Sequence, residues 1–430
     1  KINDMKKIIN LLQRYKESGI VLADQAIVSG GNFLLGILLA RFLGLDQYGV
    51  YALLWMVILF GLSLNQAFIT KPLLSLGPKI EKADQPGYLS VLHGIQLLYA
   101  LLAGCLAFGV LLLGGVLDIP VPESSVLISL PFIMVMHLSF DFYRKACFVK
   151  GDLPFALVLD GGVFFIQFGG LLLLWQMNKL SVANALWVVL VANSFAVLTS
   201  IWRFGLPNFH LTEVKKVVFQ HFRFAKWLIG TSVLQWFSGN FFIIAAGGIL
   251  GTTAVGAVRI VQNVMGLTHV LFLAMENVVP VKAALHFKEG GHRQLFWYLR
   301  NMTLKMGLPV GLMLTGMALF APLILSILYG KEYAGYSFVV VGFCIAYILV
   351  YLGHPLRFAL RTLEQTKPIF IAYVCGTLFS MAAAYPLIRQ WEMWGLIAGI
   401  FITQLLSLMV YCFFLWKPKK YHGNHSLSTR

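Results

Sequence analysis

Apolar runs of membrane length recur along almost the whole of this 430-residue chain, and they constrain its fold more than any other feature. A helix needs about 20 mostly apolar residues to cross the hydrocarbon core of a bilayer. Only 12% of the residues are charged, whereas soluble domains carry about 25%. We therefore predict an all-α polytopic membrane protein with about twelve transmembrane helices. The predicted spans are 19–43, 48–68, 88–117, 125–148, 155–176, 183–202, 227–250, 254–279, 302–328, 335–360, 368–388 and 395–416.

The stretch 32–53 stands out among these runs because its pattern returns later in the chain. One apolar run ends near Gly44, and a second begins within a few residues and continues past Gly49. Two membrane-length segments joined by so short a link form a helical hairpin. The same spacing of two glycines recurs about 207 residues later, at Gly251 and Gly256. We therefore predict two related halves, each of which opens with a helical hairpin.

The predicted domain division follows this duplication. An N-terminal six-helix bundle covers 1–205 and begins with a basic segment, 1–18, that is suited to lie on the membrane surface. A cytoplasmic linker covers 206–226, and a C-terminal six-helix bundle with a short basic tail covers 227–430. The mixture of apolar and basic side chains in the linker predicts a second interfacial helix. These side chains are Val214, Val217, Val218, Lys215 and Lys216.

The distribution of basic residues predicts the orientation in the membrane. Most lysines and arginines lie at the two termini and in every second link between spans, whereas the opposite links hold few. By the positive-inside rule, both termini are predicted to be cytoplasmic. The net charge of +16 is explained by this topology, so no nucleic-acid partner is expected.

The five cysteines predict neither a disulfide framework nor a metal site. All of them fall inside predicted spans, and none has the spacing of metal ligands or of a redox pair. No cofactor is expected. The cysteines are Cys105, Cys147, Cys344, Cys375 and Cys412.

The sequence LLARFLGLDQYGVYAL, at 38–53, resembles the opening hairpin of the multidrug/oligosaccharidyl-lipid/polysaccharide (MOP) exporter superfamily. Within that superfamily, the resemblance is to the polysaccharide transporter branch, the Wzx-like flippases. Three further stretches resemble the same branch: TTAVGAVRI at 252–260, ENVVPVKAALHFKEG at 276–290 and ILYGKEY at 327–333. The ordered set covers essentially the whole chain and agrees with the twelve predicted spans.

The resemblance implies two pseudo-symmetric six-helix bundles around a central cavity that opens alternately to each side. The implied substrate is a polyprenyl-pyrophosphate-linked oligosaccharide, such as an O-antigen or exopolysaccharide repeat unit. It would be moved from the inner to the outer leaflet of the bacterial cytoplasmic membrane, with coupling to H⁺ or Na⁺ left open. The implied partners are this substrate, the bilayer, and a glycan polymerase or glycosyltransferases.

A carrier of this kind needs cations for the phosphates and amide or aromatic groups for the sugar. Polar residues inside spans are informative, because a charge at mid-bilayer costs about 2.5–3.5 kcal/mol on insertion scales. We expect them to line an electropositive chamber. The substrate-binding candidates are Arg259, Arg41, Asn32, Gln25, Asn263, Gln262, Asn240, Gln235, His93 and Gln96. The alternatives are snorkelling for Arg41, a structural role for His93 and helix packing for Gln235 or Asn240.

Two carboxylates inside predicted spans are candidates for ion coupling. Asp160 has no basic residue one helical turn away, so we predict a buried, unpaired carboxylate that could exchange protons. Its alternative is an interhelical hydrogen bond, and the alternative for Asp24 is a pair with a neighbouring helix. Asp141, by contrast, is predicted to pair with Arg144 or Lys145, three and four residues further along the same helix.

Three alternative functions differ from this one in the residues they require. An organic-cation or drug antiporter of the same superfamily (a MATE-like transporter) needs a cavity dominated by acids, whereas Arg259 favours an anionic cargo. The lipid II flippases, a related branch, typically have fourteen transmembrane spans, whereas this chain accommodates twelve. A membrane glycan polymerase or glycosyltransferase needs a large outer loop or paired outer carboxylates, and the predicted outer links are short. We therefore do not expect an enzyme.

Overall fold

The computed structural model describes residues 2–116, 124–205 and 211–416, and every regular element in these ranges is helical. Residues 206–210 of the predicted linker and the predicted basic tail lie outside the described residues. The predicted surface segment at the N-terminus is part of the first helix, but its side chains lie outside the description as well.

Twelve helices account for most of the described residues. They are α1 (Ile2–Leu43), α2 (Leu45–Asn65), α3 (Lys71–Leu76), α4 (Gln85–Val116), α5 (Ser124–Lys150), α6 (Leu153–Gln176), α7 (Val182–Phe204), α8 (Leu211–Leu250), α9 (Thr252–Leu319), α10 (Ala321–Leu328), α11 (Ser337–Thr362) and α12 (Lys367–Trp416). A π-helical turn (Gln66–Thr70) connects α2 with α3, and short 3₁₀ turns occupy Gly77–Lys79 and Lys331–Tyr336.

The helices confirm the predicted class of a polytopic all-α membrane protein. Within the described residues, nine helical stretches are long and apolar enough to cross a membrane. Two of them each hold two predicted spans, because α9 is broken at Gly290 and Gly291 and α12 at Glu392. The remaining predicted span, 125–148, lies on α5, which also forms a single long helix.

The two predicted hairpins begin at equivalent glycines. Gly44 separates α1 from α2 with a φ of 80°, and Gly251 separates α8 from α9 with a φ of 87°. This left-handed backbone conformation is open to glycine at little cost and ends a helix abruptly. Each link is thus a single residue, which is shorter than the sequence predicts.

The second glycine of each hairpin brings α2 and α9 into backbone contact. A methyl group on Gly49 would overlap the carbonyl of Thr252, and one on Gly256 would overlap the carbonyl of Leu45. The carboxylate of Asp46 accepts hydrogen bonds from the hydroxyl of Thr252 and, at 3.4 Å, from that of Thr253. The repeated glycine spacing is therefore the contact surface on which the two hairpins cross.

Contacts divide the chain into two compact units. The first comprises Lys1–Gly266 with Pro322–Ser337, and the second comprises Leu267–Ala321 with Phe338–Arg430. In the first unit, α5 packs against α4 and α7, and α6 packs against α1 and α7. The two six-helix bundles of the sequence analysis stay a prediction.

The second unit contains its own polar contacts between α9 and α11. Arg357 donates a hydrogen bond to the carboxylate of Glu276 at 2.8 Å, and a second to Nδ1 of His354 at 2.8 Å. The hydroxyl of Tyr351 donates to the carbonyl of Thr303. These interactions join polar side chains of α11 to α9 and to one another.

Most of the predicted linker belongs to α8. Residues 211–226 are helical and continue without a break into the predicted seventh span. Val217 is buried against Ile69, Leu73 and Leu89 in one apolar cluster of the first unit. Val217 therefore packs against protein, and it does not face the membrane surface as the interfacial-helix prediction requires.

Replacing Gly256 with alanine should destabilise the protein by about 1–3 kcal/mol, because the added methyl group forces α2 and α9 apart. Gly49→Ala should act in the same direction from the opposite helix. The matched control is Gly248→Ala, where a methyl group meets no neighbouring atom. Thermal unfolding in detergent is the measurement, and equal unfolding temperatures for Gly256→Ala and Gly248→Ala would contradict the close packing.

Candidate functional site

A cavity of about 500 Å³ lies inside the first unit. Its walls come from α1, α2, α5, α6 and α7 and from the first turns of α9. The volume falls in the range of about 300–1,000 Å³ that is common for ligand pockets. The cavity gathers several of the intramembrane polar residues that the sequence singles out, so it is the candidate functional site.

One wall of the cavity is aromatic. Tyr48, Tyr51 and Trp55 lie on one face of α2, because they are three and four residues apart. The rings of Tyr48 and Tyr51 stack at 6.5 Å, and those of Tyr51 and Trp55 stack at 5.9 Å. The Trp55 ring also meets the imidazole of His137 edge-on at 5.2 Å. Flat aromatic surfaces with polar groups beside them suit a hydroxylated ligand.

Arg259 lines the cavity one turn after the glycine contact on α9. Its guanidinium donates a hydrogen bond to Gln262 Oε1 at 2.8 Å and a longer one to Asn240 Oδ1 at 3.4 Å. Its Nε is buried and has no hydrogen-bond partner. Among the described residues, no carboxylate forms an ion pair with Arg259. A cation in this setting retains the capacity to bind an anion.

Two asparagines contribute amide groups to the same cavity. Asn32 lines it from α1, and Asn263 lines it from α9. The amide nitrogen of Asn263 donates to the carbonyl of Phe33 at 3.0 Å and to the hydroxyl of Tyr329 at 2.9 Å. Both of its N–H groups are therefore occupied within the protein, whereas its carbonyl oxygen stays free to accept from a ligand.

A second charged group lies at the junction of α1, α5 and α6. Arg144 donates from Nη2 to Asp24 at 2.6 Å and from Nε to Asp160 at 2.5 Å. The three side chains are 14%, 4% and 2% exposed, respectively. Arg144 and Asp160 also line the cavity. We name this group the Asp24–Arg144–Asp160 cluster.

The cluster corrects two expectations from the sequence. Asp160 is paired, because the cation that reaches it comes from another helix, sixteen residues away in sequence. Asp141 pairs with neither Arg144 nor Lys145, and it accepts a hydrogen bond from Thr70 at 3.4 Å. Helical spacing alone identified the wrong partner, since the side chain of Arg144 turns toward α1 and α6.

The sequence predicts an electropositive chamber, but the formal charge of the described cavity lining does not agree with this prediction. The described lining holds two cations, Arg144 and Arg259, and two acids, Asp141 and Asp160, so the formal charges cancel. The two cations differ instead in their pairing. Arg144 is neutralised by two carboxylates, whereas Arg259 is surrounded by amides and the Tyr48 phenol.

Six of the predicted substrate-binding residues do not line this cavity: Arg41, Gln25, Gln235, Asn240, His93 and Gln96. Arg41 is exposed and donates to the carbonyl of Ile327 at 3.2 Å. Gln25 is exposed and donates to Ser29 at 2.9 Å, and Gln235 is exposed as well. The roles assigned to them stay predictions.

His93 and Gln96 lie inside the helix packing of the first unit. An imidazole nitrogen of His93 lies 2.7 Å from the Tyr143 hydroxyl, and the ring stacks near Phe142. The side chain of Gln96 is fully buried. These environments match the structural alternative for His93.

Sequence reasoning missed the residues whose role depends on tertiary contact. Helical spacing offers Arg144 only as a partner for Asp141, and no local signal in the sequence points to α1 or α6. The aromatic face of α2 was detectable, because Tyr48, Tyr51 and Trp55 recur at helical spacing within a polar-poor span.

Comparisons with known proteins identify the fold. No protein-family model matches the chain, and no curated protein matches it. Solved structures do. An inward-facing MATE multidrug resistance transporter of the MOP superfamily matches with a TM-score of 0.69 and 13% identity over 91% of this chain and 93% of that chain. The lipid II flippase MurJ in an inward closed conformation matches with a TM-score of 0.66 and 12% identity, covering 92% of this chain and 87% of that chain.

A third match is a MOP superfamily transporter from Pyrococcus furiosus, described as having a binding pocket of reverse polarity. Its TM-score is 0.54, with 10% identity over 92% of this chain and 93% of that chain. The chain therefore has the fold of the MOP transporters. The fold that the sequence resemblance implied is confirmed, and the polysaccharide branch stays a prediction.

Replacing Arg144 with glutamine should destabilise the protein by about 3–5 kcal/mol, because two buried carboxylates lose their cation. Adding Asp24→Asn and Asp160→Asn should restore most of the lost stability. The control is Lys145→Gln, at the next position of α5, where no described carboxylate pairs with the lysine. Thermal unfolding in detergent measures each variant. An Arg144→Gln protein as stable as Lys145→Gln would show that the cluster contributes nothing to folding.

Proposed function

We propose that this protein is a MOP-superfamily flippase that moves a polyprenyl-pyrophosphate-linked oligosaccharide from the inner to the outer leaflet of a bacterial cytoplasmic membrane. The observation that carries the proposal is Arg259, a cation that lines a cavity inside the membrane-spanning region and has no acidic partner in the part of the chain that the structure describes. A buried cation is costly in such a place. An anionic group on the transported molecule would compensate that cost.

The rest of the cavity suits a glycan attached to such a phosphate. Tyr48, Tyr51 and Trp55 offer ring faces for sugars, and Asn32 and Asn263 offer amide oxygens for hydroxyl groups. The volume of about 500 Å³ accommodates a phosphate with the first sugars, and not a long oligosaccharide. The similarity in fold to the lipid II flippase MurJ supports a lipid-linked cargo.

The proposed mechanism is alternating access without covalent chemistry. The cargo's phosphate replaces the weak Asn240 contact of Arg259, while the Asp24–Arg144–Asp160 cluster provides carboxylates for coupling to H⁺ or Na⁺. Both termini are proposed to be cytoplasmic, from the distribution of basic residues. A glycan polymerase or glycosyltransferases are the proposed neighbours in the membrane.

A second candidate function is the export of organic cations. The observation that favours it is the presence of Asp141 and Asp160 in the same cavity, close to Asp24. The similarity in fold to a MATE multidrug resistance transporter is compatible with it. Arg144 neutralises Asp24 and Asp160, which leaves less negative charge for a cationic drug. We therefore rank the flippase first.

Arg259→Ala should reduce delivery of the glycan to the cell surface by about 10- to 100-fold, because a hydrogen bond to a charged group contributes about 1.5–3 kcal/mol. Arg259→Lys should retain part of the activity. The control is Arg389→Ala, which removes an exposed arginine whose guanidinium hydrogen-bonds to the Tyr385 hydroxyl and lies over its ring, outside the cavity. Each variant is expressed in a strain lacking the native gene, and lipid-linked oligosaccharide on the cytoplasmic side is quantified.

Accumulation of the precursor in the deletion strain supports the flippase class. Full delivery with Arg259→Ala would remove Arg259 from the substrate site. Absence of precursor accumulation, together with drug sensitivity of the deletion strain, would favour the cation antiporter.

Asp160→Asn and Asp24→Asn should each abolish the dependence of transport on an ion gradient, because an amide can neither release a proton nor hold a cation by charge. Transport is measured in vesicles with an imposed proton or sodium gradient. The control is Asp152→Asn, whose carboxylate pairs with Arg203 outside the cavity. Unchanged gradient dependence in both cluster variants would move coupling away from the cluster.

A further inference from the structure

The first four turns of α8 present an outward face that combines basic and aromatic side chains. We propose that this face, which comprises Lys215, Lys216, Phe219, Phe222, Arg223, Lys226 and Trp227, is a binding site for anionic phospholipid headgroups. The site is separate from the transport cavity and does not depend on what the cavity carries. We name it the α8 basic face.

The opposite face of the same turns is anchored to the protein. Val217, His221 and Ala225 are spaced four residues apart and are all buried. A helix turns by about 100° per residue, so these three side chains form one stripe. Val217 packs in the apolar cluster that also holds Tyr88. The α8 basic face is therefore turned away from the residues of the first unit that pack against this stripe.

His221 sets the depth of this segment in the membrane. Its Nδ1 lies 3.2 Å from the carbonyl of Phe68, and its Nε2 lies 2.8 Å from the Tyr88 hydroxyl. A carbonyl only accepts, so Nδ1 carries the proton and Nε2 accepts from the phenol. Phe68 ends the predicted span 48–68, and Tyr88 begins the predicted span 88–117, both at the same membrane boundary. His221 therefore lies at that boundary.

The side chains of the α8 basic face lie at different depths relative to this boundary. At 1.5 Å per residue, Lys215 lies about 9 Å on the aqueous side of His221, and Lys226 lies about 7.5 Å on the apolar side. Phe219 and Phe222, 66% and 54% exposed, lie within about 3 Å of it. Arg223 can extend its guanidinium back to the headgroups, as long basic side chains do near helix ends.

The charges on this face are available for a ligand. Lys215, Lys216, Arg223 and Lys226 are exposed. Among the described carboxylates, none forms an ion pair with any of them. Lysines and arginines near the surface of an anionic membrane each contribute about 1 kcal/mol to binding. Phenylalanines between them cover the first methylenes of an acyl chain.

The depth of the α8 basic face in the membrane and its aromatic side chains favour a lipid over a soluble protein as the ligand. A soluble acidic protein would not cover the whole face, because Phe222 lies level with the boundary set by His221 and Trp227 begins the predicted span 227–250. A phospholipid with a net negative headgroup meets both requirements, since its phosphate reaches the lysines and its acyl chain reaches the rings. Such a lipid would join α8 to the leaflet on the side that the distribution of basic residues predicts to be cytoplasmic.

The test uses the full chain, purified in detergent and titrated with phosphatidylglycerol or phosphatidylcholine while native mass spectrometry counts bound lipids. Lys215→Gln/Lys216→Gln/Arg223→Gln should weaken phosphatidylglycerol binding by about tenfold or more and leave phosphatidylcholine binding unchanged. The matched control, Lys282→Gln/Lys288→Gln/Arg293→Gln, removes the same charge from exposed positions of α9. The charge-retaining variant Lys215→Arg/Lys216→Arg/Arg223→Lys should bind like the native protein.

A second variant, Phe219→Ser/Phe222→Ser, should weaken the binding of both phosphatidylglycerol and phosphatidylcholine, because the acyl chains of both lipids contact these rings. Equal losses in the α8 and α9 triple variants would overturn the proposal, since binding would then follow total charge. Unchanged phosphatidylglycerol affinity in the α8 variant would overturn it as well. Unfolding temperatures measured alongside show that each protein is folded.

Discussion

The backbone contact between α2 and α9 at Gly49 and Gly256 positions the candidate site. Two helices approach this closely only where neither carries a side chain at the crossing, and hydrogen bonds from Thr252 and Thr253 to Asp46 hold the contact at its end. The aromatic face of α2 starts next to Gly49, and Arg259 follows Gly256 by one turn. The crossing therefore places the aromatic rings of α2 and the guanidinium of Arg259 in the wall of one cavity. Lipid does not drive helices together by the hydrophobic effect, so close packing of this kind matters more than in water.

The two arginines of the cavity differ in how the burial of their charge is compensated. In the Asp24–Arg144–Asp160 cluster, a single guanidinium satisfies two carboxylates from two helices, which compensates burial for all three groups. Among the polar groups that the structure describes, Arg259 meets two amides and a phenol but no carboxylate, so its burial is compensated incompletely. The cluster holds helices together, whereas Arg259 keeps a binding capacity. A count of charges would call the cavity neutral, but the local pairing shows where an anion can bind.

Much of the architecture could be predicted from local sequence, because a bilayer forces each crossing segment to satisfy its own backbone hydrogen bonds. Apolar runs therefore became helices, and the two repeated glycine pairs became equivalent helix ends and crossing points. Among the site candidates, Arg259, Gln262 and Asn263 reached the cavity together because they share a short stretch of one helix. Arg144 could not be found in this way, since its partners belong to helices that no spacing rule connects to α5.

The sequence by itself determined that the chain crosses a membrane many times, where its hairpins turn, and that Arg259 lies inside a predicted span. These features depend on hydrophobicity, helical period and the conformational freedom of glycine, all of which are local. Only the tertiary structure decided that Asp160 is neutralised, that Val217 packs against protein, and that the α8 basic face is exposed. Those outcomes depend on which helices become neighbours and how each is rotated, and the rotation of a mostly apolar helix is set by its contacts.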